Sequence, residues 1–228
     1  MIKAKLISID PSLTCSGWAV FSIESGALCG VGKVRSLPAS IPLSNRLKDL
    51  QNKISDIFKI AKLTRNDVLI CEAQTSMKDP RGAFKVEQVR SIFEALAREK
   101  EILVPGRISP RTIQSEILGF KGAQQKREEV KSVARSIVKS MFNKELSKLG
   151  FNVEENNLLK NQDIVDAILV GVMGLTRIKT AKMSNQSLAI TFSEGSSKRR
   201  SSRAAWGKGE DNSFGWTEVE LNKLLSKI

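Results

Sequence analysis

Histidine and tyrosine are both missing from this 228-residue chain. Without histidine there is no Ser-His-Asp triad, no imidazole general base and no His-ligated metal. Without tyrosine there is no phenolic nucleophile of the kind that tyrosine recombinases and topoisomerases use. Cysteine is scarce: Cys15, Cys29 and Cys71 stand in or beside strand-like runs, at spacings that match no zinc site. They read as buried free thiols in a reducing cytosol. No stretch approaches the roughly 18 continuous apolar residues of a membrane span. The opening residues Met1 to Lys5 lead straight into a strand pattern, with no signal-peptide layout. The expectation is a cytoplasmic protein with no membrane partner. Acidic residues are outnumbered, 24 Asp and Glu against 37 Lys and Arg, and the formal net charge of +13 points to a polyanionic partner. Chemistry on a nucleic acid would then fall to carboxylates and metal ions.

What is present begins with residues 5–22. Leu6 to Ile9 are mostly apolar, Asp10 stands where the run breaks, and Pro11-Ser12 turns the chain. Gly17 permits a close return, and a second strand follows from Trp18. A carboxylate at the end of a core strand is unfavourable unless something neutralises it, as a metal ion would, although an Asp before Pro also serves simply to cap a turn.

Residues 27–34 fit a third strand, and the three strands form an antiparallel meander. Ser44 is the expected N-cap of a helix to about Lys62, with Leu47, Leu50, Ile54, Ile57, Phe58 and Ala61 at helical spacing. Residues 67–72 are again a short apolar run ending in a carboxylate, Glu72. Further expectations are a helix over 82–100, a short fifth strand over 102–105, a helix opening at Ser109-Pro110, and another over 124–142. Residues 143–160 read as a loop or short insertion, and 162–177 as a buried helix, apolar round most of its circumference. The fold class expected is α/β, a five-stranded mixed sheet with three antiparallel strands, then two parallel, flanked by helices. Residues 1–178 form the expected domain. Residues 179–228 are the expected tail, Ser-rich and basic over 196–203, largely disordered, ending in a short amphipathic helix whose Thr217 and Glu220 make a capping box.

The last buried helix starts with Asp163 and Asp166, three residues apart and so on one face. Capping and the helix dipole explain Asp163 easily. They explain Asp166 less well, because it lies further into an otherwise buried helix. Two strand ends and one helix start can gather four carboxylates, and such a cluster calls for oxygen-bound divalent cations, Mg²⁺ or Mn²⁺.

These residues resemble the RuvC family of Holliday junction resolvases, in the RNase H-like superfold. The family's opening motif is matched by Ile9-Asp10-Pro11-Ser12 and Ser16-Gly17-Trp18-Ala19, and its second acidic motif by Glu72, Phe84-Lys85 and Gln88-Val89-Arg90. Gly119 to Gly122 with Lys126 match a glycine loop before a lysine, and Asp163-Ile-Val-Asp166-Ala167 match the closing motif. Ser12, Gln114 and Thr75 depart from the pattern; Thr75 stands where some members carry an aromatic wedge, for which Met77 or Phe84 are substitutes.

The resemblance implies that Asp10, Glu72, Asp163 and Asp166 hold two Mg²⁺ ions, with Mn²⁺ able to substitute, and that Lys126 offsets charge on the phosphorus. It implies Mg-dependent hydrolysis of branched DNA by symmetric nicks leaving 5′-phosphate and 3′-hydroxyl, a homodimer, and no small-molecule cofactor. It further implies a bacterial cytosol or phage-infected host. Lys78, Arg81, Lys85, Arg90, Lys121 and Arg127 are the expected DNA-backbone contacts. One alternative is a broader debranching or RNase H-like nuclease on the same acids. Another is an ATP-binding protein of the actin and sugar-kinase superfold, which needs a second phosphate-binding half that this element order does not provide. A third is an inactive DNA-binding protein, against which the presence of all four acids argues.

Overall fold

The computed structural model describes residues 4–73, 79–120 and 125–193. β1 (Lys5–Asp10), β2 (Cys15–Ser22) and β3 (Leu28–Arg35) form the expected antiparallel meander. β4 (Val68–Glu72) runs parallel to β1 along its free edge, and β5 (Arg107–Ile108) runs parallel to β4. The sheet order is β3-β2-β1-β4-β5, with helices on both faces, so the expected mixed α/β architecture is present.

Alternation along each strand decides which helices a side chain meets. On β1, Ile7 and Ile9 pack toward α1 (Leu43–Ile60) and α2 (Pro80–Glu99). Leu6 faces the other way, toward α4 (Arg127–Lys148) and α6 (Gln162–Ser184). Ser8 is in phase with Leu6 and donates its buried hydroxyl to the Ala167 carbonyl of α6 at 2.8 Å. Asp10 follows in the same phase. On β4, Leu69 and Cys71 pack toward α1 and α2, while Val68 and Ile70 pack toward α6, and Glu72 follows these two. A period of two therefore brings both strand-end acids to the α6 side.

α6 buries Ile164, Val165, Ala167, Ile168, Leu169, Val170 and Met173, each contributing on the order of 1–3 kcal/mol of transfer free energy. It lies close to the strands because Gly171 has no side chain: a Cβ there would stand 2.2 Å from the Phe21 ring. The helix stops at Asn185, whose left-handed backbone (φ 53°) is a regular C-terminal signal.

Several boundaries differ from expectation. The fifth strand is at Arg107–Ile108 rather than 102–105, because Pro105 has no N–H to extend a ladder. The earlier stretch touches β4 through Leu103, whose carbonyl accepts from Leu69 N at 2.8 Å. Residues 143–160 are mostly helical. α4 continues past a kink at Phe142 (φ −126°) to Lys148, because Val138, Phe142 and Leu146 keep one buried stripe. α5 (Glu155–Lys160) then buries Leu158. α1 starts at Leu43, one residue before the expected cap at Ser44. α2 starts at Pro80, where the Asp79 carboxylate accepts from Arg81 N at 3.0 Å. α3 (Pro110–Glu116) opens as expected, capped by Ser109. α6 runs through residues 178 and 179 to Ser184, and α7 (Leu188–Ser193) packs Leu188 and Phe192 against the same core. Among the described residues no helix is long and apolar enough to cross a membrane. The basic run 196–203 and the helix expected near Thr217 lie outside the described residues.

Candidate active site

Asp10 ends β1 directly opposite Gly17 of β2. That glycine is the contact point for the start of α6, since a Cβ on it would stand 1.8 Å from the Asp163 carbonyl oxygen. Any side chain at residue 17 would lift the helix start off the sheet. With hydrogen there, Asp163 and Asp166 come down beside Asp10. Glu72 reaches the same place from the adjacent parallel strand, whose preceding residue pairs with Ile9. All four acids are half-buried.

Their charges act on one another. Burial holds the Asp10 carboxyl well above the usual range, and the charges of Glu72, Asp166 and Asp163 push it further the same way. The contact between Asp10 and Glu72 adds to the rise at Asp10 and works against it at Glu72. Glu72 is pushed up to about 7 by burial and by Asp166, against opposing pulls from the Asp10 bond and Arg90. Asp166 is pushed up to about 6 by burial, with Gln162, Lys131 and Arg127 pulling back and Asp163 adding to the rise. Burial, and then a bond to Asp163, raises the Cys15 thiol next to it.

The donor set is entirely carboxylate oxygen with excess negative charge, which fits a hard divalent cation and no soft one. Among the described residues no group of three or more His, Cys, Asp or Glu side chains stands ready-closed around a single point. The acids thus lie within range of one another's charge rather than being set as a finished cage.

Two supports hold the acids from behind, and neither is apparent from residue spacing. Arg90 donates through Nε to the Glu72 carbonyl oxygen at 3.0 Å and pairs with Glu87, while Arg107 bridges Glu87 at 2.9 Å and Glu94 at 2.8 Å. This corrects the reading of Arg90 as a DNA contact: it is only 1% exposed and points inward from α2. Its inward-facing acidic neighbours on the same helix are the signal that it belongs to an internal network. The second support is Gln162, whose side-chain NH₂ donates to Asp166 Oδ1 at 2.8 Å and whose oxygen accepts from buried Arg135 at 3.1 Å. An arginine within the buried stripe of α4 is the clue to it.

The remaining expected residues fall as follows. Lys126 is the exposed residue before the first turn of α4, and Arg127 is exposed beside it. Arg81 and Lys85 are exposed on the first turns of α2, flanking Phe84, which is 63% exposed. Lys78 and Lys121, like Thr75 and Met77, lie outside the described residues. Lys131, not singled out from the sequence, lines a narrow cleft together with Glu72, Asp166 and Gln114.

No family model matches the chain, and no curated protein matches it in sequence. Solved structures do resemble it in shape. Thermus thermophilus RuvC in complex with Holliday junction substrate superposes with a TM-score of 0.54 at 17% identity, over 79% of this chain and 96% of that one. A second structure of Thermus thermophilus RuvC gives 0.53 at 19% identity over the same shares. The fowlpox virus Holliday junction resolvase gives 0.46 at 14% identity, over 75% and 98%. The likeness to the two bacterial structures establishes the fold as RNase H-like.

Proposed function

We propose that this chain is a divalent-metal-dependent endonuclease that resolves four-way DNA junctions. The observation that carries this reading is that Asp10, Glu72, Asp163 and Asp166, drawn from two strand ends and one helix start, lie within reach of one another's charge at one edge of an RNase H-like sheet. The raised proton affinities of Asp10, Glu72 and Asp166 mark a grouping of charge that does not favour folding, which points to a purpose outside folding. Mg²⁺ ions held there, with Mn²⁺ able to substitute, would supply Lewis-acid stabilisation of phosphate oxygens and acidify water for in-line attack.

The chain's own residues do the rest. Loading the site would displace the protons that Asp10 and Glu72 hold more tightly than usual. Gln162 and Arg90 keep Asp166 and Glu72 oriented from behind. A cation at the start of α4 offsets charge on the phosphorus; Lys126 is exposed there, and Lys131 faces the cleft beside Asp166. Arg81, Lys85 and Arg127, with Lys78 and Lys121, neutralise the DNA backbone and position it without reading sequence. The net charge of +13 supports that partner. Symmetric nicks leaving 5′-phosphate and 3′-hydroxyl call for two active sites, hence a two-fold homodimer. The groove between α1 and α2, lined by Leu47, Phe84 and Ile92, is the surface we assign to that contact.

The test is a cleavage gel in Mg²⁺ with four-way, Y-shaped, linear duplex and RNA/DNA hybrid substrates in parallel. Paired nicks on opposite strands of the four-way junction are expected. Cleavage of the hybrid with the junction left intact would refute the assignment.

A further inference from the structure

The side chain of Gln162 sits between two groups with opposite and inflexible hydrogen-bonding demands. Arg135 can only donate, so it takes the amide oxygen, at 3.1 Å. The amide NH₂ is thereby turned toward Asp166, whose Oδ1 accepts from it at 2.8 Å. Arg135 is itself fixed: it is 6% exposed and its Nε donates to Glu155 Oε1 at 2.5 Å. The amide therefore has one stable orientation, set from α4 and α5, and it occupies one of the two Asp166 oxygens. Among the described residues nothing bonds the other oxygen.

We infer that Gln162 is a positioning residue that restricts Asp166 to single-oxygen ligation and so makes the site select Mg²⁺ and Mn²⁺ against Ca²⁺. The inference rests on the proposal that these carboxylates hold divalent ions. Ca²⁺ takes six to eight oxygens in flexible geometry and readily uses both oxygens of one carboxylate, whereas Mg²⁺ demands a compact octahedron with few protein ligands. The bond from Gln162 takes one of the two lone pairs on Oδ1 and fixes the direction in which that oxygen faces, so closing both oxygens on one ion strains the bond. Removing the amide frees that oxygen and relaxes the discrimination. Hydrogen-bond partners behind a metal ligand are worth about 10- to 100-fold in affinity.

The experiment titrates Mn²⁺ alone and Ca²⁺ alone into the full chain by calorimetry, for wild type, Asp166→Asn, Gln162→Met and Arg135→Lys. Gln162→Met keeps the volume and removes the donor. Arg135→Lys keeps a cation but loses the fork that bonds Glu155 and Gln162 at once. Wild type should bind Mn²⁺ and lose that binding in Asp166→Asn; failure here rejects the metal site itself. If it holds, the ratio of Mn²⁺ to Ca²⁺ affinity should fall by about tenfold in Gln162→Met and in the same direction, by less, in Arg135→Lys. A ratio that stays within about twofold of wild type, even with both affinities lowered in parallel, overturns the inference and leaves Gln162 as structural support only. Should Gln162→Met fail to fold, the ratio in Arg135→Lys decides the matter alone.

Discussion

Asp10 and Glu72 both hold protons more tightly than free carboxyls, because burial and neighbouring negative charge oppose ionisation. The folded-state affinity for protons at Glu72 is raised from the ordinary 4.5 to about 7, and at Asp166 from 3.8 to about 6. The native state thus binds more protons than the unfolded chain between about pH 4 and 7, so stability falls as pH rises through that window. In EDTA, thermal melts should give a lower Tm at pH 8 than at pH 5, and Asp10→Asn should flatten the difference. A Tm that climbs over that range would mean the acids do not interact. For the same reason Mn²⁺ affinity should increase with pH through about 7, as Glu72 ionises. Arg90 supplies a contrasting case. Arg90→Ala should destabilise by about 2–3 kcal/mol through its lost charge-assisted bonds while leaving the salt dependence of DNA binding unchanged. Arg81→Ala should do the reverse, removing about one unit of salt slope with little change in Tm.

At the scale of elements, the site depends on how closely α6 lies on β2. Gly17→Ala would drive a methyl into the Asp163 backbone, and overpacking of this kind costs about 1–3 kcal/mol. A Tm loss of several degrees, with Mn²⁺ affinity weakened beyond what the fold loses, is the expected result of melting and calorimetry. Normal metal affinity in that variant would show that the helix start is not what sets the acids. Much of this element order was readable. An apolar run broken by an acid marks the strand end at both residues 5–10 and 67–72. The fifth strand was misplaced because residues 102–105 look like a strand by composition, yet Pro105 interrupts the ladder and the pairing resumes at Arg107. The continuation of α4 past Phe142 was hidden by its kink, although Leu146 keeps the buried spacing. Gln162 and Arg135 are only half legible. An arginine in the buried stripe of α4 announces a buried polar partner, but that the partner is Gln162 is decided only once α4 and α6 are packed.

For the molecule as a whole, a basic surface and an acidic centre work in opposite directions. The excess of positive charge draws in a polyanion, and the acids at the sheet edge repel it until cations screen them. DNA binding should weaken steeply with salt, by about 0.9 in log–log slope for each phosphate neutralised, and EDTA should stop nicking without releasing the DNA. Binding that ignores salt would contradict the role given to Arg81, Lys85 and Arg127. The architecture itself was foreseeable from three strands followed by alternating helices and strands, and the solved structures agree with it.

The most direct test of the central claim is single-turnover nicking of a four-way junction in Mg²⁺ by Asp10→Asn, with junction binding measured on the same preparation. Ligand-supporting residues are worth up to about 100-fold, so loss of a ligand itself should slow nicking by more than that while binding stays near wild type. Nicking at close to the wild-type rate would show that the four acids are not the hydrolytic centre.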